Sequence, residues 1–369
     1  MHATKALTEA DRLMTVCNSC RYCEGICAVF PAMEMRAAFS DGDLNYLANL
    51  CHSCGACYYD CQFSPPHEFN VNLPSVLAQV RGESYEAYAW PPFLAGAFRR
   101  NGLVISIVTA LTVAIFIAGF VVVGDPGVLF AAQNGPGAFY RLMPHTTMAV
   151  LFGAALLYAL IAIAMGVRNF WRDIGEPAAT LAEPVSLWQA IEDASTLRYL
   201  DGGGVGCMNE DERPTDNRGM YHHFTFYGFM LCFAATSVAT LYHYVGREAP
   251  YPYWDLPVLL GTIGGLGLII GPLGLLRAKS RRDPALQDAK KYGMDVAFLA
   301  MLMLTSVSGL ALLLLRATSA MGLLLALHIG IVFALFITMP YGKFVHGFYR
   351  FVALVRYAKE RKQLAGMHV

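Results

Sequence analysis

The chain has 369 residues, of which 56% are hydrophobic and only 15% are charged, and its mean hydropathy is +0.44. Soluble proteins carry about 25% charged residues, so this composition argues against a soluble enzyme and against an intrinsically disordered chain. The 27 basic and 27 acidic residues cancel, which excludes the basic footprint of a dominant nucleic-acid role and predicts no nucleic-acid partner.

Eight of the ten cysteines lie between Cys17 and Cys61, after an N-terminus that has no apolar core and therefore no secretory signal. They form two motifs of spacing C-x2-C-x2-C-x3-C: Cys17, Cys20, Cys23 and Cys27, then Cys51, Cys54, Cys57 and Cys61. This spacing is typical of proteins with two [4Fe–4S] clusters, where the fourth cysteine of each motif binds the other cluster. We therefore predict one cluster on Cys17, Cys20, Cys23 and Cys61, and a second on Cys51, Cys54, Cys57 and Cys27.

Structural zinc is the alternative for these thiols, although zinc sites usually use two separated C-x2-C pairs. The segment between the two motifs, residues 30–50, lacks the alternation of a β-strand and ends in a helix-like pattern. The sequence therefore predicts a helical ferredoxin-like domain over residues 1–101.

Six apolar runs follow, each near the ~20 residues that a bilayer core requires. They lie at about 102–123, 146–166, 221–245, 256–276, 294–315 and 320–339. None has an internal charge, since Asp295 stands only at the start of the fifth run. The predicted fold is mostly α. A cytoplasmic helical two-cluster ferredoxin-like domain precedes a six-helix transmembrane bundle over 102–348, with a cytoplasmic loop at 167–220 and a basic tail at 349–369.

The basic residues predict how the chain lies in the membrane. Of the 27, 24 fall in residues 1–101, 167–220, 277–294 and the C-terminal tail, and only Arg141, Arg247 and Arg316 fall in the alternate connections. Basic loops stay on the cytoplasmic side. We therefore expect a multi-pass protein of a bacterial-type inner membrane, with both termini in the cytoplasm.

Histidines inside or beside the spans predict haem ligands. No C-x-x-C-H motif occurs, so covalent c-type haem is excluded. On a helix, His328 and His346 share one face because 18 residues make about five turns, and His222 lies within about 60° of the face of His243. We expect an inner haem b on His346 with His222 (or His223), and an outer haem b on His328 with His243 (or His145).

Three further patterns border these positions. Arg218, Lys343 and Arg350 stand where they would pair with haem propionates or with lipid phosphates. The fourth span contains Gly261, Gly264, Gly265, Gly267 and Gly271, which predict close helix packing rather than a dinucleotide site. The glycine-rich stretch 202–206 with Cys207 is interpreted either as a docking or haem-approaching loop or as a flexible connector.

The chain resembles the tricarballylate-utilisation protein B family, also labelled citrate-utilisation protein B, and the C-terminal half of a cobalamin-biosynthesis flavohaemoprotein. The resemblance rests on the paired cysteine motifs and on residues 221–229, 242–244 and 339–350. Residues 339–350 are also similar to the haem-bearing helix of respiratory nitrate reductase gamma subunits and membrane heterodisulfide reductases. That likeness implies haem ligation by His328 and His346.

The family resemblance implies a role in electron transfer. It implies that a separate FAD-dependent tricarballylate dehydrogenase supplies electrons and that the quinone pool accepts them. The chain itself has no flavin or nicotinamide motif, so we expect no metabolite-oxidising catalytic residue in it. The alternatives are a heterodisulfide-reductase-like quinol-oxidising subunit, a redox-sensing membrane transporter and a zinc-stabilised scaffold.

Overall fold

The computed structural model describes residues 2–122, 126–200, 202, 206–208 and 214–367. The N-terminal part is helical throughout. Its helices are α1 (Lys5–Cys20), α2 (Val29–Glu34), α3 (Asp41–Leu50), α4 (Ala56–Tyr59) and α5 (Leu73–Ala87), followed by a 3-10 segment at Pro92–Phe98. Polar caps set the helix starts: the Thr4 hydroxyl accepts from the Leu7 N–H, and Ser40 forms a capping box with Asp43. The predicted helical form of this domain is confirmed.

Six long apolar helices follow in the described part of the chain, with two short helices between them and a long, more polar helix after them. The long helices are α6 (Asn101–Val122), α8 (His145–Asp173), α10 (Asn217–Tyr244), α11 (Leu256–Ser280), α12 (Tyr292–Leu315) and α13 (Met321–Thr338). The others are α7 (Pro126–Leu129), α9 (Pro184–Ser195) and α14 (Val345–Met367). Strands β1 (Cys207–Met208) and β2 (Pro214–Thr215) pair antiparallel, with Cys207 opposite Thr215. Short 3-10 turns lie at Ala138–Arg141, Ala178–Ala182, Pro284–Leu286, Ala289–Lys291 and Met339–Tyr341.

All six long helices are long and apolar enough to cross a membrane. Their outward faces expose large aliphatic side chains, among them Ile115, Val150, Ile263 and Leu314, which are 60–72% accessible. A continuous apolar belt of this kind is unfavourable in water and favourable in lipid. The chain is therefore a multi-pass membrane protein.

The helix ends differ from the predicted span ends. Helix α8 continues to Asp173 rather than ending near 166, because a helix can extend beyond the lipid with polar residues. Hydropathy marks the bilayer and not the end of the helix. Pro340 lies in the turn that ends the sixth span, since proline lacks the N–H a helix needs. Helix α14 then begins at Val345, so the domain boundary expected after residue 348 falls inside a helix.

Helix α14 joins the membrane part to the N-terminal domain. Its side chains Val352, Ala353 and Val355 are buried in the same core as the residues of α3 and α5. Glu360 accepts from Arg36 at 2.5 Å and from the Tyr46 hydroxyl at 2.8 Å. The basic C-terminal segment is therefore a packed helix of the domain rather than a free tail.

Helices α10 and α11 pack backbone to backbone through their glycines. A Cβ atom at Gly228 would lie 2.9 Å from the Gly264 oxygen, and one at Gly264 would lie 2.8 Å from the Gly228 oxygen. Both distances are too short for a real side chain, so only glycine fits. This contact fixes α10 against α11 and leaves another face of α10 turned towards α14.

Candidate metal centres

The structure brings the eight clustered cysteines together in two sets. The Cys17 thiol lies near those of Cys20, Cys23 and Cys61, and the thiols of Cys27 and Cys57 lie near those of Cys51 and Cys54. The last cysteine of each motif therefore faces the first three of the other. This is the crossed grouping that the two-cluster pattern predicts. The ligation itself stays a prediction.

Five of the eight thiols, those of Cys17, Cys23, Cys27, Cys54 and Cys57, have raised pKa values because burial and the neighbouring thiols disfavour the thiolate. The pKa is about 12 for both Cys17 and Cys23, and about 11 for Cys54. At neutral pH these groups are therefore protonated unless a metal centre replaces the protons. Among the residues that the structure describes, no three His, Cys, Asp or Glu side chains converge on a single metal ion.

The two cysteine sets differ in their exposure. Cys20 is exposed at the end of α1, beside Tyr22, which is 73% accessible. Cys51 and Cys54 are buried, and the residues between them, His52 and Ser53, line a cavity in the membrane part. The first set is thus open to the surface, whereas the second faces the interior.

Four arginines surround the backbone that carries the second set. Their donors reach residues 48–53: Arg81 to Ala48 O, Cys51 O and Ser53 Oγ, Arg218 to His52 O and Ser53 O, Arg282 to Ser53 O, and Arg350 to Asn49 O and Cys51 O. Burial lowers the pKa of Arg282 and of Arg350 to about 10, so both stay charged at neutral pH. Within the described chain none of the four has a carboxylate partner. Buried charges without counter-charge are costly, so this end of the cavity suits an anionic group.

The cavity itself has a volume of about 800 Å³ and lies between α10 and α14. Its walls are mostly aromatic and aliphatic, with Phe229, Phe298 and Phe344 among them. The four arginines line the end near the N-terminal domain, together with Lys279 and Lys343. An apolar chamber with cations at one end fits a large, flat, apolar group that carries carboxylates, such as haem b.

His222 and His346 face each other in this cavity. Their ring centroids are 6.2 Å apart with an interplanar angle of 81°, so the two imidazoles are close enough that both could hold one metal centre. His346 Nδ1 donates to Lys343 O at 2.6 Å, which leaves Nε2 for a metal, and burial holds the His346 pKa well below its usual value. The buried Nδ1 atom of His222 has no hydrogen-bond partner in the described part of the chain. A neutral imidazole whose other nitrogen binds a carbonyl is the usual state of a metal ligand.

His223 lies on another face of α10. Its Nε2 atom is 3.2 Å from Ser195 O, and its ring borders a different pocket. The structure therefore places His222, and not His223, opposite His346.

The residues predicted for an outer haem are not brought together. His243 stacks on His145 with ring centroids 3.4 Å apart, a separation that leaves no room for a metal between the rings. His328 instead has Nδ1 3.0 Å from Ser308 Oγ on α12. The predicted pairing of His243 with His328 requires α10 and α13 to be direct neighbours. Instead, α10 packs mainly on α11, and α13 packs mainly on α6, α12 and α8.

The predicted propionate partners are already engaged. Arg218 and Arg350 donate to backbone carbonyls of residues 49–53. Lys343 pairs with Asp295 at 2.9 Å, and Lys279 pairs with the same carboxylate at 2.7 Å. All three predicted residues still line the cavity. Arg218 and Arg350 link α10 and α14 to residues 49–53, whereas Lys343 links the segment before α14 to Asp295 of α12.

Part of the glycine-rich stretch lies outside the described residues, but Gly202 is described. A Cβ there would be 2.9 Å from Ala56 Cβ and 3.6 Å from Cys54 Sγ, and its φ of +62° also favours glycine. Cys207 donates to Leu200 O and packs with Cys54. The stretch thus approaches the second cysteine set.

Sequence reasoning missed Arg81 and Arg282. Arg81 lies 30 residues beyond Cys51 on α5, and Arg282 lies just after α11. A buried arginine leaves no local pattern in sequence, because its partners come from distant segments. The one available signal was the cluster of basic residues directly after the fourth span.

These features define a class: a multi-pass membrane protein with a helical, cysteine-rich ferredoxin-like domain. The family description "Citrate utilization protein B Fer4-like domain" matches residues 10–87, and "Citrate utilization protein B" matches residues 96–366. The chain is 48% identical over 362 residues to the Escherichia coli protein named "Citrate utilization protein B", covering 98% of this chain and 94% of that one. No solved structure gives a significant match. The chain belongs to the citrate utilization protein B family, and this membership fits an electron-transfer role in citrate or tricarballylate utilisation.

Proposed function

We propose that this chain is a membrane electron-transfer subunit. Electrons from a cytoplasmic FAD-dependent dehydrogenase, tricarballylate dehydrogenase by resemblance, would enter two [4Fe–4S] clusters and pass through haem b to a membrane quinone. The observation that carries the proposal is the order of the sites. An exposed cysteine set, a buried cysteine set and a cavity with two facing histidines lie in sequence from the surface inwards.

The charges favour one direction of transfer. The four arginines stand around the second cysteine set, while the first set has no comparable arginine shell among its described contacts. Positive charge stabilises the reduced, more negative state of a cluster and raises its reduction potential. Electrons that enter at the exposed set would therefore move inwards.

In the cavity, His222 and His346 would hold haem b, with the four arginines beside its carboxylates. Bound haem supplies a one-electron carrier, and its potential depends on axial ligands and burial. The chain's own residues fix the imidazole orientation through Lys343 O and exclude water with the phenylalanine walls. The structure gives no support for a second haem, because the outer histidines are paired otherwise.

The test is the cofactor content of the purified full-length chain and of two alanine variants. We expect about nine irons per chain, eight from two [4Fe–4S] clusters and one from haem b, and a haem Soret band that shifts on reduction. The haem content of His222→Ala should fall at least tenfold, because one of the two imidazoles that would hold the haem is removed, whereas His223→Ala should keep its haem.

His223→Ala is the matched control, since it removes the same side chain from the adjacent position. Equal haem loss in both variants would contradict the assignment of His222. A colourless chain that contains zinc instead of iron would contradict the electron-transfer proposal as a whole.

A further inference from the structure

We call the cavity that His222 and His346 line the haem cavity. A second large pocket lies on the other side of α10. We name it the lateral pocket. It has a volume of about 780 Å³ and lies between the end of α9, α10 and α11. His222 borders the haem cavity and His223 borders the lateral pocket. Adjacent histidines of one helix therefore serve two different chambers.

The polar end of the lateral pocket lies near the N-terminal domain. Tyr227 Oη donates to Ser195 O at 3.0 Å, and His223 Nε2 lies 3.2 Å from the same oxygen. Two side chains thus share one backbone acceptor at the end of α9. Either side chain can donate to a ligand while the other keeps its hydrogen bond to the Ser195 oxygen. Ligand binding therefore leaves no buried acceptor without a donor.

The opposite end of the pocket is apolar. Leu231 of α10 and Ile263 and Leu266 of α11 line it, and Ile263 and Leu266 are exposed on the membrane-facing surface. A ligand that enters from the lipid would meet aliphatic groups first and hydrogen-bond donors last. This polarity fits a ring with carbonyl oxygens and a long hydrocarbon tail.

The wall between this pocket and the metal centres is thin. Leu200 and Cys207 line both the lateral pocket and the haem cavity. The same two residues pack directly on Cys54 and Ala56 of the second cysteine set. A ring bound at the polar end would therefore be one layer of side chains away from the second set and from the haem cavity.

We propose that the lateral pocket binds a membrane quinone, with a carbonyl oxygen accepting from Tyr227 and His223 and the tail along Ile263. This inference rests on the proposed function for its electrons. The quinone gains two electrons from the metal centres of this chain and two protons from water on the side of the N-terminal domain. Both carbonyl oxygens become hydroxyls, and the product is the quinol.

The charges at the polar end favour a quinone over a phospholipid. Arg198 is paired with Asp193 at 3.4 Å, and the carboxylate of Asp216 also lines the pocket. A phosphate headgroup would meet a neutralised cation and an anion. A neutral carbonyl meets the donors that it requires.

The experiment measures binding of 2-heptyl-4-hydroxyquinoline N-oxide, a fluorescent quinone analogue, to the full-length chain in nanodiscs. Tyr227→Phe should weaken binding about tenfold by removing one hydrogen bond to the ring. Ile263→Trp should weaken it at least as much by filling the tail end. The optical spectrum of each variant reports whether the chain is folded.

Two matched controls use the same helices. Tyr244→Phe is the control for Tyr227→Phe, because it removes a tyrosine hydroxyl at the far end of α10. Leu259→Trp is the control for Ile263→Trp, because it adds a tryptophan one turn away on α11, outside the pocket. Both should bind the analogue as the unchanged chain does. Unchanged binding in Tyr227→Phe and Ile263→Trp, or occupation of the pocket by co-purified phospholipid that the analogue does not displace, would overturn the proposal.

The outcome separates this inference from the proposed function. If the dithionite-reduced chain is reoxidised by decylubiquinone, a quinone with an alkyl tail, at the same rate in Tyr227→Phe, Ile263→Trp and the controls, the electron-transfer function stands and the lateral pocket is not the quinone site. If the chain lacks iron and haem but the analogue still binds in the pocket, the binding site stands and the proposed function fails.

Discussion

Four guanidinium groups hold the loop that carries the second cysteine set. Arg81, Arg218, Arg282 and Arg350 come from four separate helices or helix ends, and each donates to the backbone or hydroxyl of residues 48–53. Among the residues that the structure describes, the buried Nε atom of Arg282 has no hydrogen-bond partner. An excess of buried donors and positive charge is stable only beside a resident anion. A cluster ligated by four thiolates is such an anion.

This arrangement predicts the effect of Arg282→Gln. Removing one buried positive charge should favour the oxidised, less negative state of the second cluster. We expect the ratio of reduced to oxidised cluster at a fixed potential to fall about tenfold, which is about 59 mV for one electron. Potentiometric titration followed by EPR measures it. Arg281→Gln, at the exposed neighbouring position, should leave the potential unchanged, and an equal shift in both variants would contradict a local electrostatic effect.

At the scale of elements, the contact between α10 and α11 positions the haem cavity. Of the α11 glycines that the sequence indicates for helix packing, Gly264, Gly267 and Gly271 meet the backbone of α10, and the first two do so at Gly228. Because no side chain separates these helices, α10 is held in one orientation. That orientation turns His222 to the cavity and His223 to the lateral pocket.

Gly264→Ile tests this contact. The added side chain would collide with the backbone of Cys232 and Gly228, and overpacking of this kind costs about 1–3 kcal/mol. We expect a lower unfolding temperature by tryptophan fluorescence and a loss of haem, because His222 moves. Gly119→Ile, on α6 where an added Cβ meets nothing within 4 Å, is the control. If both variants unfold at the same temperature, the α10–α11 contact does not hold the cavity.

Features that depend on residues close together in the chain could be predicted from the sequence. Contacts between segments that are far apart in the chain could not. Spans follow from runs of apolar residues, and cysteine motifs follow from short spacing, so both could be predicted from local patterns. The inner pair His222 and His346 came from helical angle and depth together. The outer pair failed to assemble because angle does not say which helices are neighbours, and His243 meets His145 instead. Arg81 and Arg282 were missed for the same reason.

At the scale of the whole molecule, the N-terminal domain and the membrane helices form one continuous unit. Helix α14 contributes to the core of the domain, while its first turn carries His346 into the cavity. The salt bridges of Arg36 and Arg356 with Asp43 and Glu360 join the same helix to α2 and α3. The second cysteine set is thereby held at a fixed position above the cavity, which a short electron-transfer distance requires.

In the proposed function, electrons enter at the exposed cysteine set and reach haem in the cavity. The most direct test is stopped-flow reduction of the oxidised full-length chain by a photoreduced flavin. We expect the iron–sulfur absorbance to bleach first and haem reduction to follow. Cys20→Ser should slow the haem reduction. Haem reduction that precedes the bleaching, or that is unaffected by Cys20→Ser, would contradict it.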